Sequence, residues 1–135
     1  MQLAKEARAG TAFFCMSLFD TTQLSLEAAM RGSSLRQTLL TDNLANVNTP
    51  GYQRQDVDFH AALQSALQAG DSDTSLETVS FNPTVESART VRADGSGIDA
   101  DQESAELAKN ALEYQALVSV AGTRTTILQI AMGVR

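Results

Sequence analysis

The chain has no tryptophan, one cysteine, two prolines and only seven phenylalanine and tyrosine residues among its 135 positions. Each scarcity excludes something. With Cys15 alone, no intramolecular disulfide can form. No run of about 18 apolar residues occurs, which excludes a membrane-spanning helix. Basic residues are few: 10 Lys and Arg against 16 Asp and Glu leave a net charge of -6, the wrong sign for a phosphate-backbone partner, so nucleic acid is excluded as the main ligand. The hydrophobic fraction is an ordinary 43%, but Ala, Leu and Val supply most of it. Compact cores rely on aromatic bulk. A chain rich in Ala and Leu and poor in aromatics suits long helices packed side by side. At this length there is room for one domain with a modest core.

What charge there is lies unevenly. Residues 1–52 hold four acids and four bases, residues 53–104 ten acids against three bases, and residues 105–135 two acids and three bases. Near-neutral ends suit packing against protein, and an acidic middle suits water. Lys5 and Arg8 precede Ala12-Phe13-Phe14-Cys15, but this apolar run is too short for a signal peptide and lacks a small-residue cleavage pattern. Residues 1–15 read as an upstream extension outside the natural protein, with Met16 its start.

Residues 20–47 read as a helix, capped by Asp20, Thr21 or Thr22, with Leu24, Ala28, Leu35 and Leu39 near helical spacing. Leu40, Leu44 and Val47 form a second stripe, and Gly32-Ser33-Ser34 marks a bend or a break. Asn48-Thr49-Pro50-Gly51 must stop the helix. Pro50 drives Thr49 out of the α region, and Gly51 accepts the positive φ of a type II turn. In residues 53–98, 57–67 read as a short helix and Gly70-Asp71-Ser72-Asp73 as a loop. Leu76, Val79 and Phe81 suggest one strand, Thr90-Val91-Arg92 another, and Asp94-Gly95-Ser96-Gly97 a turn. This middle is either a weakly structured insert or a β-rich outer lobe.

Residues 100–133 are the clearest element. Asp99 with Gln102, or Asp101, caps a helix whose acids crowd the first turn. Without proline and with Gly122 alone inside it, the run spans about 50 Å, longer than a compact domain of this size needs. An a/d-like ladder runs Ala105, Ala108, Leu112, Gln115, Ser119, Gly122 and Thr126, with small or polar residues in several core slots. Apolar residues go most of the way round, from Leu107 through Val120 to Ile130, so one partner helix cannot cover them. Two terminal helices that pair with each other and still need neighbours are the expectation.

The segment Leu35-Arg36-Gln37-Thr38-Leu39-Leu40-Thr41-Asp42-Asn43-Leu44-Ala45-Asn46-Val47-Asn48-Thr49-Pro50-Gly51-Tyr52 resembles the N-terminal signature of flagellar rod, hook and hook-associated proteins. A second block, Glu106-Leu107-Ala108-Lys109-Asn110-Ala111-Leu112-Glu113-Tyr114-Gln115-Ala116-Leu117-Val118, together with the short length, is most similar to the proximal rod members. The two blocks cover about half the chain, and residues 60–93 carry no such signature.

That resemblance implies a mainly α fold. Long N- and C-terminal helices would form a coiled-coil-like tube layer, with a small irregular or β-containing segment outside it. The divisions would be an extension at 1–15, an N-terminal helix and turn at 16–52, an acidic middle at 53–98 and a C-terminal helix at 99–135. It implies a structural rod subunit that self-associates, meets other rod subunits and the membrane-ring adaptor, transmits torque and leaves a channel. Export would run through the flagellar type III apparatus without a cleaved signal, to the periplasmic rod. Terminal helices of this family are commonly disordered in the free monomer. The assembly surface would comprise Leu35, Leu39, Leu40, Asn43, Leu44, Asn46, Asn48, Thr49, Pro50, Gly51 and Tyr52 from the first block. From the C-terminal helix it would take Leu107, Ala108, Ala111, Leu112, Tyr114, Gln115, Leu117, Val118 and Ile127.

Read physically, Asn43 and Asn46 sit one turn apart near a helix end, where their amides can satisfy free carbonyls or bond a neighbour. Tyr52 offers an apolar face with a polar tip to anchor the following chain. Rival chemistries are thinner. A lone His60 near Asp56 and Asp58, or Cys15 as a nucleophile, does not make an enzyme. Asp94, Asp99, Asp101 and Glu103 miss calcium-loop spacing, and Asp94-Gly95-Ser96-Gly97 lacks the lysine of a phosphate loop. No cofactor or metal is expected. The other reading is a helical adaptor that binds partner helices without polymerising.

Overall fold

A computed structural model describes residues 21–69, 72–86 and 98–133. In chain order they form α1 (Thr21–Ala45), β1 (Gln55–Asp56), α2 (Phe59–Gln68), α3 (Ser72–Thr78), β2 (Thr84–Val85) and α4 (Ala100–Ala131). The expectations for residues 1–15, Asp20, the 90–92 strand and the 94–97 turn lie outside the described residues.

Helix α1 continues through Gly32-Ser33-Ser34 with no break. The glycine serves close approach: a Cβ there would stand 2.6 Å from the Cβ of Phe59. Serine is tolerated next to it because Ser33, fully buried, hydrogen-bonds Asn110 of α4. The helix stops where proline and glycine demand. The Tyr52 N–H donates to the Thr49 carbonyl at 3.2 Å, and Gly51 has φ +77, so Thr49-Pro50-Gly51-Tyr52 closes as a type II turn.

Beyond the turn, two-residue strands pair antiparallel, Gln55 with Val85 and Asp56 with Thr84. The middle segment then folds back on α1. Asp58 caps α2 by accepting the Ala61 N–H at 3.0 Å. Leu76, expected in a strand, is instead buried on the short helix α3. The Ser72-Asp73 half of the expected loop is also helical, forming the start of α3. The Thr and Ser around Leu76 mimic a strand composition. What overrides them is the Arg31 guanidinium, which donates to the carbonyls of Leu76 and Glu77 at 3.1 and 3.4 Å and so satisfies the exposed end of α3. Phe59, 1% exposed, packs edge-on to Phe81 with ring centroids 6.5 Å apart. With Ala28, Leu39, Leu40, Leu76 and Ile98, it forms a core set under α1.

Helix α4 runs antiparallel to α1 and its start is capped by Asp99, whose carboxylate accepts the Asp101 N–H. Among the described residues, no helix is long and apolar enough to cross a membrane. The architecture is mainly α: long terminal helices with a short irregular middle carrying two small strands.

Candidate assembly site

The seam between α1 and α4 is polar where it is most buried. Asn110 is fully buried; its amide donates to the Ser33 carbonyl at 3.0 Å and to Gln37 Oε1 at 2.8 Å, and its Oδ1 accepts from the Ser33 hydroxyl at 3.2 Å. Nearer the turn, Asn43 is also fully buried. It donates to the Gln55 carbonyl at 2.7 Å and accepts the Gln55 N–H at 3.0 Å, clamping the chain after the turn like one rung of a sheet. The Tyr52 hydroxyl donates to Asn43 Oδ1 at 3.4 Å, and Asn43 reaches Glu103 Oε2 at 3.3 Å.

Glu103, 1% exposed, receives a direct ion pair from the Arg54 Nε. A buried carboxylate survives only with such a partner. Arg54 also pairs with Asp56 at 3.1 Å and Glu86 at 3.2 Å, while Arg36 grips Asp56 with two N–H bonds at 3.0 and 3.2 Å and reaches Glu106 at 3.2 Å. Burial pushes the Asp56 carboxyl up, but the Arg36 and Val57 hydrogen bonds and the charges of Arg36 and Arg54 outweigh it and hold Asp56 below its ordinary value. Burial, then the charges of Asp42 and Glu103, pushes the Tyr52 phenol up, so it remains a donor. Two blocks 50 residues apart in sequence, the turn and the start of α4, are thus welded together through α1.

One line of sheltered residues on α4 runs Glu103, Leu107, Asn110, Leu117, Ala121, Arg124 and Leu128, spaced by fours and threes around Tyr114, with Glu106, Ala111 and Glu113 half-buried beside it. This corrects the expected ladder. Ala105, Ala108, Leu112, Gln115, Ser119, Gly122 and Thr126 are all exposed, on other faces of the helix. The a/d spacing suggested that ladder, but the buried seam is the one whose polar groups find partners on α1 and at Arg54.

The outward surface is apolar. Leu112 is 68% exposed, Ile127 60%, Ile130 70% and Val120 57%. Of the expected assembly residues, Leu112, Tyr114, Val118 and Ile127 stand exposed on α4 with Ala108 and Gln115, and Asn48, Thr49, Pro50 and Gly51 are exposed at the turn. Leu35, Leu44, Asn46, Tyr52, Leu107, Ala111 and Leu117 are half-buried. Leu39, Leu40 and Asn43 are buried within the chain itself, so their side chains are already engaged. Asn46 satisfies a free helix carbonyl, donating to Asp42 at 2.9 Å. An open groove beside the seam is lined by Met30, Leu35, Thr38 and Tyr114 with Glu27 and Arg31. His60 lies away from Asp56, on Glu113 at 2.6 Å. Sequence reasoning missed the Arg54–Glu103 pair; the one signal was an arginine two residues past Tyr52 in a segment otherwise dominated by acids.

The chemistry of this molecule sits on helix faces and a turn, the arrangement of a structural helical protein. Comparison with known proteins makes the class specific. A model of the flagella basal body rod protein family matches residues 25–53. The flagellar basal body rod protein FlgB of Bacillus subtilis is 34% identical over 116 residues, covering 76% of this chain and 86% of its own. The FlgB proteins of Escherichia coli and Salmonella typhimurium are 31% identical over 109 residues and 30% over 114, covering 69% and 73% of this chain and 79% and 83% of theirs. The chain belongs to the FlgB family of flagellar basal body rod proteins, whose members are structural and not enzymatic.

Proposed function

We propose that this rod subunit assembles through its two terminal helices into a hollow shaft that transmits torque and leaves a passage for export substrates. Neighbouring copies, other rod subunits and the membrane-ring adaptor would cover the outer stripe of α4 and the turn at 48–52. The middle segment, packed on α1 beside the first turns of α4, would lie outside the tube. The subunit would reach the periplasm through the flagellar type III apparatus with no signal peptide removed.

The observation that carries this reading is the apolar stripe on α4. Leu112, Ile127 and Ile130 are each at least 60% exposed, on a helix whose inward seam holds a glutamate and an asparagine. A helix that gives buried positions to polar groups and leaves large aliphatic residues this exposed needs other chains to cover them. The test substitutes Leu112 and Ile127 by Asp in the flagellated host. Isolated basal bodies should lack the variant and cells should be non-motile, while the purified variant keeps the parent's helical circular dichroism. Normal incorporation and motility would overturn the proposal.

A further inference from the structure

The groove beside the seam has a wall from each long helix: Met30, Ser34, Leu35 and Thr38 from α1, and Tyr114 from α4. The two charged residues on its rim are already engaged. Glu27 accepts from the Gln23 amide at 2.8 Å, and Arg31 donates to the carbonyls of Leu76 and Glu77. The Thr38 hydroxyl donates to the Ser34 carbonyl at 3.3 Å. What remains suits the apolar face of a helix. The chain itself carries such a face. Val120, Ile127 and Ile130 are exposed on α4 at i, i+7 and i+10. Between Glu113 and Gly133 the sequence has one charge, Arg124, which is half-buried on the seam and engaged. The groove runs about 17 Å along α1 from Glu27 to Thr38, and the stripe about 15 Å from Val120 to Ile130. A subunit cannot fill its own groove. Tyr114 is already a wall of it, and the three aliphatic residues lie about 120–160° round α4 from Tyr114.

We propose that the groove of one copy receives the stripe of Val120, Ile127 and Ile130 from a second copy. The inference rests on the assembly reading above and adds which surfaces of two copies meet. Groove and stripe match in length, in helical spacing and in lacking a free charge. They are different patches, so the contact is heterologous: a copy that gives its stripe keeps its groove open for the next. Repetition of that contact makes a ring or an open helical stack and not a closed two-fold pair. The contact exists only between assembled copies, so it does not require ordered helices in the free chain.

The test uses basal bodies isolated from the flagellated host, with Cys15→Ser as the background. Two differently tagged copies are co-expressed, one with Thr38→Cys and one with Ile127→Cys, both exposed positions. A short thiol-to-thiol cross-linker should give a dimer carrying both tags. Either copy expressed alone should give none, and neither should a pair with Asp101→Cys, exposed at the start of α4, in place of Ile127→Cys. Paired charges carry the test if the cysteine copies do not incorporate. Thr38→Lys and Ile127→Glu should each abolish motility, and both in one chain should restore it. A dimer of two Ile127→Cys copies, or a cross-link from Thr38→Cys to a different protein, overturns the proposal, as does the absence of both mixed dimer and restoration. Whether the tagged parent chain is found in basal bodies reads the assembly reading separately, so the two can fail independently.

Discussion

Gly32 and Gly122 are both helix-interior glycines, and alanine at such positions should raise stability by about 1 kcal/mol through helix propensity. The structure separates them. Nothing lies within 4 Å of a Cβ built on Gly122, so Gly122→Ala should gain that amount. A Cβ on Gly32 would meet Phe59 Cβ at 2.6 Å, Cγ at 2.8 Å and Cδ2 at 2.9 Å. The nearest of these is fixed to the backbone of α2 and cannot rotate away, so α2 itself must shift from α1. Overpacking a filled core costs about 1–3 kcal/mol, and a contact between two fixed Cβ atoms belongs at the upper end. Set against the propensity gain, Gly32→Ala should destabilise by about 2 kcal/mol. Urea unfolding followed by far-ultraviolet circular dichroism, at equal slope, reads both variants against the parent. If Gly32→Ala stabilises as Gly122→Ala does, α2 does not pack on α1 through Phe59 and the description of the core fails.

Asn43→Ala should cost about 3 kcal/mol in the same assay, since it leaves the Gln55 backbone pair unpartnered, whereas Asn46→Ala should cost under about 1 kcal/mol because the exposed Asp42 carbonyl turns to water. Leu117→Asp, on the seam, should destabilise the monomer by about 3 kcal/mol, while Leu112→Asp should stay within about 0.5 kcal/mol; equal effects would misplace the seam. Asp56 is held below its ordinary value near 3.8, so its contribution is present above that pH and is lost as pH falls through the lower folded value. Asp56→Asn should therefore flatten the acid limb of a stability–pH profile measured by urea midpoints. An unchanged limb would count against the Arg36 pairing.

The long elements were legible because their signals are local. The proline–glycine stop, the Asp99 cap and an uninterrupted run of helix formers need no knowledge of the fold. Residues around Leu76 were misread because Thr and Ser favour strands only weakly, and a guanidinium 45 positions away decided the matter. The unbroken passage through Gly32 was likewise invisible: a glycine's backbone cost counts against a helix until the ring that needs its space is known. The polar cluster was hidden for the same reason. Glu103 reads as an ordinary first-turn acid complementing the helix dipole, and only the return of Arg54 after the turn makes it a buried partner.

The displaced ladder carries the larger lesson about how such a chain is built. Counting apolar residues around α4 showed correctly that one partner could not cover them, but not which face the partner α1 takes. In a free-standing hairpin the hydrophobic effect would assign the aliphatic stripe inward. Here the inward stripe mixes Glu103, Asn110 and Arg124 with Leu107, Leu117 and Leu128, and the more exposed Leu112, Val120, Ile127 and Ile130 face out. Burying charge and amide costs free energy unless every group is paired, and no buried side-chain nitrogen or oxygen among the described residues lacks a hydrogen bond. Polar pairing therefore specifies the intramolecular contact, and the strongest apolar surface is left for contacts outside the chain. A sequence with that division spends its specificity on one conformation of the subunit and its hydrophobic area on association.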